Sequence, residues 1–121
     1  MKMSNVTYFK SLHVYNLRKA LGPSLQYALI ITSDKYVSRP EHQIVSVLLL
    51  SDRPKNSASY IRVHIKSIGS GGKAHMAMDY YGQVDNIMPM PKSNLMVTSC
   101  KPITDSEERD VQVKLKEWLD L

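Results

Sequence analysis

The sequence predicts a mainly β fold closed by one C-terminal α-helix, and three observations predict it. Ile44 to Leu50 is an apolar run, interrupted only by Ser46 and rich in β-branched residues, the pattern of a strand covered on both faces. "YIRVHIK", residues 60–66, alternates strictly, with Ile61, Val63 and Ile65 on one side and Arg62, His64 and Lys66 on the other. Near the end the period becomes helical: Val111, Leu115, Trp118 and Leu119 recur on one face.

The elements follow in chain order. A first strand spans Tyr8 to Leu17, and "NLRKALGPSLQ" leaves it through a loop whose turn signal is Gly22-Pro23. A second strand covers about 26–33, built on the apolar run Ala28 to Ile31. "SDKYVSRPEHQ" is polar and Pro40 blocks a continuing ladder, so it reads as a loop. After the central strand comes a second loop, "SDRPKNSAS", then the alternating strand at 60–66. "GSGG", residues 69–72, lacks the Gly-Lys-Ser/Thr that completes a phosphate-binding loop and reads as a hairpin turn. Residues 74–81 form a further strand, with 83–87 continuing it past a kink at Gly82 and Pro89 and Pro91 ending it. Thr104 and Glu107 have capping-box spacing, and Asp105, Glu107 and Glu108 suit the positive end of a helix dipole. The terminal helix is expected to lay Trp118 against the sheet.

At 121 residues the chain suits a single domain spanning 1–121. The apolar run Val47 to Leu50 is four residues long, far short of the roughly 20 that cross a bilayer. With no secretory pattern at the N-terminus, the expectation is a cytoplasmic protein with no membrane contact. Cys100 is the one cysteine, so neither an internal disulfide nor a cysteine zinc site is expected. His13, His42, His64 and His75 lack metal-ligand spacing, and no metal or other cofactor is expected.

The formal net charge is +5, but it is uneven. Residues 1–67 hold ten Lys/Arg against three Asp/Glu, and residues 68–121 hold six against eight. A basic half suits a polyanionic partner such as nucleic acid, or a solubilising surface; charge alone leaves both open. Two stretches could carry a site. The Arg62–His64–Lys66 ladder could lie under phosphates. Ser51, Asp52 and Arg53 stand at the carboxyl end of a rigid strand, where functional loops are anchored.

Four stretches taken together resemble the MazF/PemK family of toxin endoribonucleases: "LGPSLQYALIITSDKY", "VSVLLLSDRPK", "YGQVDNI" and the closing "LMVTSCKPITDSEERDVQVKLKEWLDL". The resemblance covers most of the chain from about Tyr8. It implies a small SH3-like curved β-barrel with a C-terminal α-helix (the MazF/PemK/CcdB-like architecture). It also implies a homodimer that binds single-stranded RNA in a basic groove, and a cognate antitoxin peptide laid in the same groove. The apolar excess in 76–81 and on the terminal helix agrees with a buried dimer face.

The implied activity is metal-independent RNA cleavage by attack of the ribose 2′-hydroxyl on the adjacent phosphate. By the resemblance, Ser51 fills the family's hydroxyl position. The family's Arg-Pro arginine position holds Gln26, followed by Tyr27, and glutamine cannot act as a general acid or base. Ser51 and Arg53 are therefore the expected catalytic pair, with Arg53 supplying the charge missing at Gln26. Arg18, Lys19, Gln26, Tyr27, Lys35, Arg62, His64, Lys66 and Gln83 are the expected RNA contacts, and His13 or His64 could titrate near neutral pH. Two alternatives stand beside this reading. One is a catalytically inactive MazF-like binding or regulatory protein; the other is a topoisomerase-poisoning toxin on the same fold.

Overall fold

The computed structural model describes residues 8–22, 25–52 and 60–121. Six strands form one sheet: β1 (His13–Asn16), β2 (Tyr27–Ile30), β3 (Ile44–Ser51), β4 (Arg62–Ile65), β5 (Tyr80–Pro91) and β6 (Lys101–Pro102). Their order is β4-β5-β3-β2-β1-β6, and every named pairing is antiparallel. A one-turn helix, α1 (Asp34–Val37), follows β2, and α2 (Asp105–Leu119) closes the chain. The sheet curls into a half-barrel.

Both faces of the curl are apolar. Val14, Leu29, Leu48, Leu50, Val63, Ile65 and Val84 pack on the inner face with Val111 of α2. Tyr15, Ala28, Ile30, Val45, Val47 and Leu49 pack on the other, under Val37 of α1 and Leu95. This is why Val47–Leu50 is continuously apolar: alternate residues enter different clusters.

Several elements differ from their sequence reading, each for a local reason. β1 is much shorter than Tyr8–Leu17. The Lys10 N–H donates to the Tyr15 hydroxyl (2.8 Å), the Ser11 N–H donates to Asp34 Oδ1 (2.7 Å), and Leu12 turns to φ 57°. The loop after β2 contains α1, because the Tyr36 and Val37 amides return to the Ser33 carbonyl and Val37 is buried. Residues 74–79 are not a strand; Ala74 makes only an isolated bridge to Ser67, and β5 starts at Tyr80.

Pro89 lies inside β5, facing Ser46, and Pro91 is the strand's last residue, facing Ile44. Among the described residues β5 pairs beyond Gln83 with β3 alone, so these prolines need no N–H for a second neighbour. The kink at Gly82 is larger than expected. The pairs Leu48↔Ile87 and Leu50↔Gly82 leave Leu49 facing four residues, 83 to 86, a bulge that bends the sheet. "GSGG" is a 3-10 turn (Ile68–Ser70) followed by Gly71 at φ 95°. Gly72 then passes so close to Lys66 that a Cβ would sit 2.0 Å from the Lys66 carbonyl oxygen.

The capping box forms as read: Thr104 Oγ1 accepts from Glu107 N–H, and Glu107 Oε1 accepts from Thr104 N–H. The other Glu107 oxygen accepts the Lys66 N–H at 2.8 Å, while Lys114 Nζ donates to the Arg62 carbonyl at 2.6 Å. Side chains of α2 thus occupy polar groups along the free edge of β4. The helix docks through Val111 and Leu115, whereas Trp118 stays 50% exposed instead of packing on the sheet. Among the described residues no helix is long and apolar enough to cross a membrane.

Candidate nucleic-acid interface

Strand register assembles the site. Tyr27 faces Leu50, Leu50 faces Gly82, and Gly82 faces Val63. One residue further along lies a second row: Ser51 faces Tyr81, and Tyr81 faces His64. Extending the β2–β3 register by one residue places Gln26 beside Ser51, and the Gln26 carbonyl accepts the Leu17 N–H at 2.9 Å. Leu50, Val63 and Tyr80 belong to the inner cluster. Because alternate residues face opposite ways, Gln26, Ser51, Tyr81 and His64 share the outer face. A sequence-distant glutamine, serine, tyrosine and histidine thereby form one polar row across four strands.

Each group is held differently. Ser51 is buried at the end of β3, and Gln26 is exposed. His64 is 41% exposed, and its ring stacks on Tyr81 with centroids 4.7 Å apart and planes at 26°. Its Nε2 lies 2.7 Å from Asp79 Oδ2. Asp79 Oδ1 accepts the Ser67 N–H (2.9 Å) and the Ser67 hydroxyl (3.1 Å). The Ser67 amide first, then His64 and the Ser70 hydroxyl, hold the Asp79 carboxyl well below the usual carboxylate range. Beside the row, His64 and Lys66 of the β4 edge and Thr104, Ser106, Glu107 and Arg109 of α2 line a groove of about 690 Å³.

The other expected RNA contacts separate into groups. Arg18 and Lys19 are exposed and follow β1 at the Gln26 end of the sheet; their amides are pinned by the Asn94 carbonyl (2.8 Å) and Asn94 Oδ1 (3.0 Å). Lys66 is exposed at the end of β4. Gln83 faces Arg62, one step from the row. Lys35 lies in α1, beyond the opposite end of β2, with Nζ 5.5 Å from the Tyr36 ring centroid. Tyr27 points to the inner face, edge-on to Tyr80 at 4.9 Å and beneath Lys101 Nζ at 5.4 Å.

Arg62 departs most from its reading as a solvent-facing cation. It is 8% exposed, and its guanidinium is bonded to Asp85. Arg53 falls outside the described residues. Asp79 and Tyr81 were missed in the sequence because 74–81 read as one apolar strand. The available signal was the period-two step from Tyr81 to Gln83.

Burial lowers the pKa of Lys101, whose Nζ donates to Asn16 Oδ1 and to the Ser99 carbonyl. Burial, then the Tyr27 and Asp52 charges, raises that of Tyr80. Among the described residues no group of three His, Cys, Asp or Glu is placed to hold a metal ion.

No protein-family model and no curated protein sequence matches the chain. Solved structures do. The Mycobacterium tuberculosis toxin MazF-mt6 aligns at 19% identity over 93% of this chain and 98% of its own, with a TM-score of 0.66. A mycobacterial endoribonuclease in complex with its cognate antitoxin aligns at 18% identity over 93% and 95%, also with a TM-score of 0.66. A chain of the MazE–MazF complex from Deinococcus radiodurans aligns at 14% identity over 96% and 100%, with a TM-score of 0.69. The curled six-stranded sheet and terminal helix of this chain are therefore the fold of the MazF toxins.

Proposed function

We propose that this protein is a MazF-type toxin that cleaves single-stranded RNA and is neutralised by a cognate antitoxin peptide. The observation that carries the reading is the row joining Gln26 to Ser51, with exposed Arg18 and Lys19 at the same end. The likeness to an endoribonuclease bound to its antitoxin supports it. In the proposed reaction the 2′-hydroxyl attacks the adjacent phosphate and the 5′-oxygen leaves. The products are a 2′,3′-cyclic phosphate and a 5′-hydroxyl. The nucleophile comes from the substrate, so the step needs no metal. Ser51 orients the phosphate by a hydrogen bond, and Arg53 offsets the charge that develops on it. The working unit is a homodimer in the cytoplasm, with RNA in a groove that includes the Gln26–His64 row.

The test is cleavage of single-stranded RNA in EDTA, with end-mapping of the products. Arg53→Ala is expected to lower the rate on the order of 100-fold or more, the usual loss when a cation aimed at developing charge is removed. Light scattering that gives only the monomer mass of 13.8 kDa would overturn the dimer. Gln26 motivates one rival, a binding protein that no longer cleaves. An inert wild type activated by Gln26→Arg would establish that rival.

A further inference from the structure

We propose that His64, oriented by Asp79 and backed by the Tyr81 ring, is the general base of the RNA-cleaving site; this rests on the ribonuclease reading above. Asp79 fixes the ring chemically. An ionised carboxylate only accepts hydrogen bonds, so the 2.7 Å contact makes Nε2 the N–H nitrogen and leaves the lone pair of a neutral ring on Nδ1. No described residue bonds that Nδ1. The 4.7 Å stack on Tyr81 fixes the ring plane as well. The other histidines lack this arrangement. His13 Nδ1 lies 2.9 Å from the Ser11 carbonyl, His42 sits edge-on to Tyr36, and His75 is exposed. Among the described residues only His64 pairs with a carboxylate.

Position supports the role. Tyr81 stands one strand from Ser51 and one strand from His64. That separates Ser51 and His64 by about 10 Å of backbone, two strand spacings. A phosphate above Tyr81 is then flanked by Ser51 and Gln26 on one side and by imidazole on the other. In-line displacement needs this division, because attacking and departing oxygens lie on opposite sides of phosphorus. The charged groups around the ring are Asp79, Lys66 on its own edge, and Glu107, Arg109 and Asp110 of α2.

The step balances without another reagent. Nδ1 takes the 2′-hydroxyl proton as the O2′–P bond forms and the P–O5′ bond breaks. The departing O5′ takes a proton from water, and the resulting hydroxide removes the proton from the imidazolium. Asp79 stabilises that imidazolium while it exists, as the carboxylate of a triad does.

The experiment uses the full-length protein and a single-stranded RNA that it cuts. His64→Ala is expected to lower kcat by 10²- to 10⁴-fold, the range for a general base, with little change in KM. Added imidazole should restore part of that loss. Asp79→Asn, a change to a positioning residue, should lower kcat less and leave KM unchanged. His75→Ala serves as a control with unaltered activity. Circular dichroism checks the fold, and His64→Gln replaces the alanine variant if that one does not fold. A wild type that cleaves while folded His64 variants cleave equally well overturns the role of His64 and spares the ribonuclease reading. So does a folded, inactive His64→Ala that imidazole does not rescue. A wild type that cuts no RNA overturns both.

Discussion

Two basic regions flank the polar row, and they use their charge differently. At the β1–β2 end, Arg18 and Lys19 are exposed, and Asn94 grips only their backbone. Along β4, the side chains of Arg62 and His64 are tied to acids, whereas Lys66 is held only through its backbone amide. Arg62 bonds Asp85, His64 bonds Asp79, and the Lys66 amide is held by Glu107. The first region can meet a polyanion at little structural cost. In the second, the Arg62 charge goes to holding β4 against β5, while the Lys66 side chain stays exposed. A count of cations therefore overstates the surface open to phosphate, and the partners decide which cations matter.

Arg62→Ala breaks this comparison most sharply. It strands Asp85 beside a strand it no longer pins. Removing one partner of a fully buried pair costs 3–5 kcal/mol. With Asp85 30% exposed, solvent screening reduces the expected loss to about 2 kcal/mol. Urea denaturation should reveal it, while RNA affinity measured on the folded protein should hardly change. A stable variant with weakened RNA binding would return Arg62 to the interface.

Next in size is Glu107→Ala. Glu107 is 8% exposed, completes the capping box with Thr104 and accepts the Lys66 amide. The Thr104 side-chain cap survives, but the Thr104 and Lys66 amides each lose an acceptor, and a hydrogen bond contributes about 1 kcal/mol or less net. Denaturation should show a loss of between about 1 and 2 kcal/mol, with α2 loosened from the β4 edge. Hydrogen exchange at Lys66 is the local readout.

The β1–β2 end is tested by salt. Each phosphate neutralised on a single strand contributes about 0.7 to the log–log slope of affinity against salt. Arg18→Ala combined with Lys19→Ala should lower that slope by about 1.4 without altering stability. An unchanged slope would place the RNA elsewhere, with Lys66 and Arg109 of the α2 groove next to test.

The same contrast explains how much was legible in advance. Strand β3 and the capped helix were readable because their signals are local: an apolar run, and a threonine three residues before a glutamate. Strict alternation at 60–66 correctly put Arg62 and His64 on one face. It could not reveal that Asp85, 23 residues away, would occupy the arginine. Pro89 was misread as a strand end because its tolerance depends on which strand is missing beside it, a fact of sheet order. The resemblance singled out Gln26 and Ser51 separately; their adjacency could not be read, since register between residues 25 apart is set by the whole sheet. Asp79 and Tyr81 were hidden inside a segment whose apolar average suggested a dimer face; in the fold Asp79 accepts the Ser67 amide and Tyr81 stacks on His64.

The smallest expected effect is at Asp79, whose carboxylate is open enough to water for screening to limit its worth. Its folded pKa lies below the ordinary aspartate value, mainly because the Ser67 amide donates to the ionised form. A depressed carboxylate stabilises the fold above the unfolded pKa, near 3.9 for aspartate. That contribution fades as pH falls below this value, because the unfolded chain binds the proton first. Denaturation midpoints should therefore be flat in this term from pH 7 down to about 5 and should decline below about 4. Asp79→Asn should be slightly less stable at neutral pH, and the gap to wild type should narrow in acid. His64→Gln removes one donor but keeps the Ser67 bond, so it should retain most of the acid decline. If Asp79→Asn keeps the full decline, the acid sensitivity belongs to other carboxylates.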